Sequence, residues 1–317
     1  GGAIIGLIVA AGKTDIAFRG PLRNRVQEAM VERVPGVDEK IVIIDVKGMI
    51  LSNSGYDGAE ANMLRVQLQR ALRSPNVRAV VLDMDTPGGE ITASDEVHHA
   101  VQEVTEHHKP VVACMRSVCA SGGYYVAAAS DYIVANPLTM TGSIGVIVPS
   151  FSYSELLNKV GVAPNYYASG KMKDMLSGAV ERPPDEQEAV DEMVQELVDK
   201  SFRRFAQVIA EGRSAYASAD EVAAQPFADG RVLTAGQARD FALVDDLGYL
   251  SQAIAKAKEL AAVPEANVVR YQARISLSDF LLAAQQTGKF GIENALPAEM
   301  RLLKPRNLYY LMPNLAQ

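Results

Sequence analysis

The sequence predicts an α/β fold. Between residues 41 and 148, β-branched apolar runs alternate with helix-period patterns, at a spacing that suits parallel strands joined by crossovers with helices covering the sheet. Of 317 residues, 48% are hydrophobic and 22% charged, so a sizeable buried core is expected. The runs 41–46, 77–83, 110–114, 132–135 and 144–148 read as strands, with helices at 60–72, at 91–107 and in the small-residue stretch from Ser121. Beyond them, 153–162 has a helical pattern and 164–169 reads as a short strand. Residues 183–213 form a long amphipathic helix opened by proline in its first turn. Two or three further helices fit 218–260, and the chain from residue 267 is less regular.

The two ends differ from this body. Residues 1–12, GGAIIGLIVAAG, are almost entirely apolar. As a helix they would span about 18 Å against about 30 Å of hydrocarbon, too short to cross a bilayer alone, and they read as the remnant of an N-terminal membrane anchor ahead of a buried strand. Residues 13–39 are charged and amphipathic, a linker or short helix, and the folded domain covers 40–262. Residues 263–317 form a C-terminal extension whose last stretch, KPRNLYYLMPNLAQ, ends apolar and aromatic.

Counts of charged and metal-binding residues exclude several functions. Lys+Arg 31 against Asp+Glu 38 leaves a net charge of −7, the wrong sign for a nucleic-acid partner. With only Cys114 and Cys119, neither a disulfide framework nor a four-cysteine zinc site can form, and neither metal nor cofactor is expected. All four histidines, His98, His99, His107 and His108, lie in one short stretch that reads as a solvent-facing helix.

Three segments exceed what packing requires. DTPGG, Asp85 to Gly89, follows a buried-type strand, and its proline and two glycines can turn backbone amides toward an oxyanion, although a plain strand-to-helix turn uses the same residues. Ser121 in SVCASGGYY stands between a strand and a helix, where its hydroxyl would be exposed as a nucleophile or would serve as a helix N-cap. MTGSIGV, Met140 to Val146, and the polar YASGKMKDMLSG, Tyr167 to Gly178, make the third. A serine nucleophile needs a base, and with the histidines read as surface residues a lysine is left, Lys171 or Lys173. That lysine must be neutral, its pKa lowered from about 10.4 to about 7–8, roughly 4 kcal/mol of desolvation or cationic neighbourhood. Asp174, adjacent to Lys173, would oppose this and is expected to point elsewhere.

Together, DTPGG, SVCASGGYY, NPLTMTGSIGV, YASGKMKDMLSG and ADGRVLTAGQARDFALVDDLG resemble the signal peptide peptidase A family of bacterial serine peptidases, over about residues 40–260. The resemblance implies a crotonase/Clp-protease-like fold of repeated β-β-α units with additional C-terminal helices. It implies Ser121 as nucleophile, Lys173 as general base and Ser143 orienting the lysine amine. It also implies an oxyanion hole from the amides of Gly89, with Gly88 beside it, and Gly122. The chain departs from the family where Asp85-Thr86 replaces a frequent Asn-Ser, and where Gly178 replaces a frequent proline. By the same resemblance the enzyme is a single-pass protein of the bacterial cell membrane with an extracytoplasmic catalytic domain. It assembles as a ring-shaped homo-oligomer whose active sites combine neighbouring subunits, and it cuts signal peptides or other extended apolar peptides. The tail, with Tyr309, Tyr310, Leu311 and Met312, is a candidate occupant of a peptide groove, its own or a neighbour's. Two rivals are an acyl-CoA enzyme of the crotonase fold, which would use the oxyanion amides without the serine, and a catalytically silent membrane quality-control scaffold.

Overall fold

The β-branched runs pair side by side as parallel strands. In the computed structural model, which describes residues 26–52, 59–273 and 309–311, β2 (Lys40–Lys47), β5 (Val77–Thr86), β7 (Val111–Ala120) and β8 (Tyr132–Ala135) are parallel neighbours. β11 (Asp246–Leu247) extends the sheet parallel to β8, and β12 (Asn267–Ala273) pairs parallel with β2 on the other side. Parallel pairing requires both faces covered. Val80, Leu82 and Met84 of β5 face one core with α1 (Ala61–Arg73) and α2 (Ile91–Glu106), while Ala79 and Val81 face a second core with α8 (Leu250–Leu260).

A second, smaller sheet stands at the carboxyl ends of these strands. It contains β3 (Ile50–Leu51), β4 (Ala59–Glu60), β6 (Gly88–Glu90) and β13 (Tyr309–Leu311). Two of the long strands thus continue into short strands of this sheet before their helices: β2-β3 ahead of α1, with β4 directly before it, and β5-β6 ahead of α2. This is the repeated β-β-α unit expected of the fold. After β7 the chain turns at Ser121 into α3 (Gly122–Ala127), and β9 (Met140–Gly142) pairs in parallel with the end of β7. Then follow α4 (Ser154–Lys159), α5 (Pro184–Gly212), α6 (Ala219–Ala223), β10 (Val232–Thr234) and α7 (Ala235–Asp240), with β10 antiparallel to β9.

Three elements differ from the sequence reading. Val26–Glu32, read as linker or helix, is β1, an edge strand antiparallel to β12. Most of its side chains face solvent, so its charges mimic a helix surface, and tertiary pairing overrides the local pattern. The strand expected at 144–148 is absent, and β9 pairs four residues earlier because that register sets Gly142 beside Ala120. Residues 164–169 form no strand: they are exposed and pair with no neighbouring strand. The apolar start at 1–12 lies outside the described residues, among which no helix is long and apolar enough to cross a membrane.

Candidate active site

Strand pairing brings the three motif segments together at the carboxyl end of the sheet. Thr86 is opposite Cys119, and Ala120 is opposite Gly142, so DTPGG, ASGG and TGS are adjacent. Side-chain bonds fix the register: Asp85 Oδ1 accepts the amide of Val118 at 3.1 Å, and Thr141 Oγ1 donates to the carbonyl of Cys119 at 2.6 Å. Gly123 permits the last close approach, since a Cβ there would lie 2.7 Å from Thr86 Cγ2.

Ser121 sits at the centre of this junction with φ 53° and ψ −118°, a strained conformation for a residue with a side chain. Its amide donates to the Gly142 carbonyl at 2.8 Å and its carbonyl accepts from Tyr125 at 2.9 Å, so both sides of the turn are held. The hydroxyl makes no capping bond, is 0% exposed and has no hydrogen-bond partner among the described residues. A helix N-cap would bond the amides of the first turn, so the N-cap reading fails. The following helix is pinned by its two tyrosines: Tyr124 Oη donates to the Leu243 carbonyl at 2.8 Å, and Tyr125 Oη donates to the Asp95 carboxylate.

The glycines of the first turn are not equivalent. Gly88 has φ 104°, and its amide donates to Thr86 Oγ1 at 3.1 Å, so this donor is already engaged. Gly89 has no room for any side chain, because a Cβ would lie 1.9 Å from the Ile50 carbonyl oxygen. Strand β13 runs antiparallel to this turn, with Tyr310 opposite Gly89 and Leu311 opposite Gly88. The tail backbone therefore lies along the edge of the smaller sheet in its own chain.

Ser143 follows β9 with φ 50°, is buried, and its amide donates to the Arg231 carbonyl at 2.8 Å. Lys173 lies apart from this cluster. It is exposed on a turn between α4 and α5, and its ammonium has no hydrogen bond or ion pair among the described residues. Since Ser121 Oγ is also unpartnered, no hydrogen bond joins the two within the chain. Lys171 is equally exposed. Asp174 turns away as expected, pairing with Arg182 at 3.2 Å.

One histidine departs from the sequence reading. His99, His107 and His108 are exposed, but His98 is 1% exposed, edge-on to Tyr125 with ring centroids 5.1 Å apart. Burial, then the Arg204 charge, lower its pKa to about 4, and its Nδ1 has no hydrogen-bond partner among the described residues. Its spacing with Ser94, Val97 and Val101 on the buried side of α2 carries the signal that the sequence reading passed over. Burial also pushes the Cys114 thiol up to about 11 and the Cys119 thiol further, so neither is a nucleophile at neutral pH. No group of three or more metal-ligating side chains occurs among the described residues.

Residues 103–264 match the model of peptidase family S49. A protein of Enterococcus faecium named "Putative signal peptide peptidase SppA" is 34% identical over 259 residues, 78% of this chain and 71% of that protein. "Serine protease SPPA, chloroplastic" of Arabidopsis thaliana is 36% identical over 235 residues, covering 72% of this chain but 33% of that protein. A solved mutant of the 1510-N membrane-bound stomatin-specific protease, in complex with a substrate peptide, is similar at TM-score 0.44 and 18% identity, over 78% of this chain and 98% of that one.

Proposed function

The chain belongs to peptidase family S49 and is a serine peptidase by that membership; we propose that it is an endopeptidase with a Ser121–Lys173 dyad completed between two copies of the chain. The observation that carries this reading is the Ser121 hydroxyl, buried, unpartnered and held in a strained turn beside the Gly88-Gly89 segment. A hydroxyl left unbonded inside a protein is costly, and the arrangement is stable only because the surrounding strands over-determine it.

In the proposed reaction, Ser121 Oγ attacks the scissile carbonyl carbon while neutral Lys173 Nζ takes the hydroxyl proton. The carbonyl oxygen becomes an oxyanion that the amides of Gly89 and Gly122 stabilise, with Gly88 shaping the turn through its bond to Thr86. Collapse breaks the C–N bond, and the lysine ammonium returns its proton to the leaving amine. Water then attacks the acyl-serine ester, giving its proton to Lys173, and release of the acid restores Ser121 with that proton. Ser143 is assigned to orient the amine.

Lys173 comes from a neighbouring copy in this reading. Its support is the exposed lysine on a segment whose Phe151, Leu156, Val160, Val162 and Tyr167 also face solvent in the single chain. A ring-shaped homo-oligomer would cover these side chains and desolvate the amine together. Substrates are extended apolar peptides such as cleaved signal peptides, recognised through the backbone edge of β6, which already accepts the antiparallel strand Tyr309–Leu311. The anchoring of residues 1–12 in the bacterial membrane, with the catalytic domain extracytoplasmic, belongs to the same reading.

A serine-directed phosphonate tests the nucleophile. One adduct, located by mass spectrometry on Ser121 of the assembled protein, is expected, and Ser121→Ala is expected to lower kcat by roughly 10⁴-fold or more. An assembled sample with no adduct on Ser121, or a Ser121→Ala protein that still hydrolyses peptides, would contradict the reading.

A further inference from the structure

A carboxylate next to an ammonium keeps it protonated, and Asp174 follows Lys173 directly in the chain. The fold takes Asp174 elsewhere. Arg182 Nη2 lies 3.2 Å from Asp174 Oδ1 and also donates to the Asp174 carbonyl at 2.5 Å. The guanidinium side chain is 7% exposed and that of Asp174 22%. This is a two-point hold by a nearly buried cation on a single residue, unlike the mobile surface pairs that contribute little. The Asp174 carbonyl also accepts the Ser177 amide at 2.7 Å, and the Lys173 amide donates to Gly170 at 3.1 Å, so the turn carrying the lysine is closed on both sides. The other charged groups of this segment are Lys171 and Glu181, both exposed and outside any ion pair among the described residues. No charged side chain from an element packed against the turn, other than Arg182, forms an ion pair with it among the described residues.

We propose, on the reading that Lys173 is the general base, that Arg182 is a positioning residue which removes the Asp174 carboxylate from the lysine and fixes a cation against the turn that carries it, so that the amine meets the serine neutral. Both effects act in one direction. With the carboxylate held, the ammonium loses its nearest counter-ion, and the guanidinium disfavours a second positive charge nearby.

The test is the pH profile of kcat/KM between about pH 6 and 10 on an apolar peptide substrate, with the assembled protein. Arg182→Gln frees Asp174 to pair with Lys173, and its acid limb is expected to move up by about one unit. At pH 7 this reads as about a ten-fold loss that is largely recovered near pH 9.5. Arg182→Lys keeps a cation with a single-point hold and is expected to move the limb less. Arg182→Gln combined with Asp174→Asn removes the freed carboxylate and is expected to bring the limb back toward that of the unaltered protein. Should Arg182→Gln fail to fold, Asp174→Asn alone decides, its acid limb expected to move slightly down because only the guanidinium remains. A loss equal at every pH in Arg182→Gln, a double variant whose limb stays displaced, or an upward shift in Asp174→Asn would overturn the proposal. Failure of the underlying reading is separate: a Lys173→Ala protein that still turns over would show that the base lies elsewhere, whatever Arg182 does.

Discussion

Ser121 and Lys173 occupy regions built in opposite ways. The serine sits where four strands and a helix converge, fully buried, with its main chain bonded on both sides. The lysine sits on an exposed turn between a short helix and a long one, in a segment several of whose apolar side chains face water, Tyr167 being 98% exposed. A strained nucleophile needs the first setting, because only a rigid frame holds a residue at positive φ with an unbonded hydroxyl. A lysine base needs desolvation, which the second setting lacks in one chain. On the proposed reading, folding finishes the serine half of the site, and the lysine half is finished by whatever covers the arm of residues 151–182.

Glycine substitutions break this comparison most strongly. Gly89→Ala would force a Cβ to within 1.9 Å of the Ile50 carbonyl, so the turn must shift, and kcat is expected to fall about 10²–10³-fold, the cost of misplacing an oxyanion donor. Gly170→Ala, on the arm, meets nothing within 4 Å and is expected to change neither Tm nor kcat measurably. Equal losses in the two would remove the contrast.

Charges on the arm probe the other half. Leu156→Asp with Tyr167→Asp is expected to leave the thermal stability of the single chain within about 0.5 kcal/mol, since both positions are exposed. The same pair is expected to shrink the assembly by light scattering and to lower activity at least about ten-fold. Full activity at monomeric mass would show that the arm needs no partner.

Removal of residues 309–317 sharpens the comparison at the groove. If substrate binds along β6 as proposed, the strand Tyr309–Leu311 occupies its place, and loss of that strand is expected to lower KM about three- to ten-fold with kcat nearly unchanged. An unchanged KM would mean that β6 is not the substrate edge.

The last effect concerns stability alone, in the buried half. His98 titrates near pH 4 in the folded chain against about 6.5 unfolded, so the unfolded chain binds the proton first as pH falls. Stability is therefore lost between about pH 6.5 and pH 4, by about 3 kcal/mol. His98→Phe, which keeps the ring against Tyr125, is expected to lose correspondingly less Tm between those pH values. An identical slope would place the acid sensitivity in other groups.

Much of the buried half was legible because its demands are local. A strand followed by Pro-Gly-Gly, or by Ser-Gly-Gly and a small-residue helix, announces a tight turn wherever it falls. Which glycine amide of the DTPGG turn is free to act was harder to resolve, since the engagement of Gly88 by Thr86 depends on a hydroxyl rotamer and not on a motif. Val26–Glu32 was misread because edge pairing with a strand over two hundred residues away leaves no local trace beyond charges on a solvated face. His98 differs from its reading because one solvent-facing surface was assigned to the whole helix, whereas residue 98 falls on its buried side with Ser94, Val97 and Val101. Arg182 was missed altogether: eight residues from Asp174, it is joined to it only by the fold of the arm.

Mixing two inactive proteins tests the shared site most directly. Ser121→Ala and Lys173→Ala chains are dissociated together, reassembled at equal concentration, and assayed for peptide hydrolysis. A site that takes its serine from one copy and its lysine from the next is intact in about one quarter of random pairings, so about a quarter of unaltered activity is expected. Two inactive proteins that stay inactive after verified co-assembly would contradict the shared site.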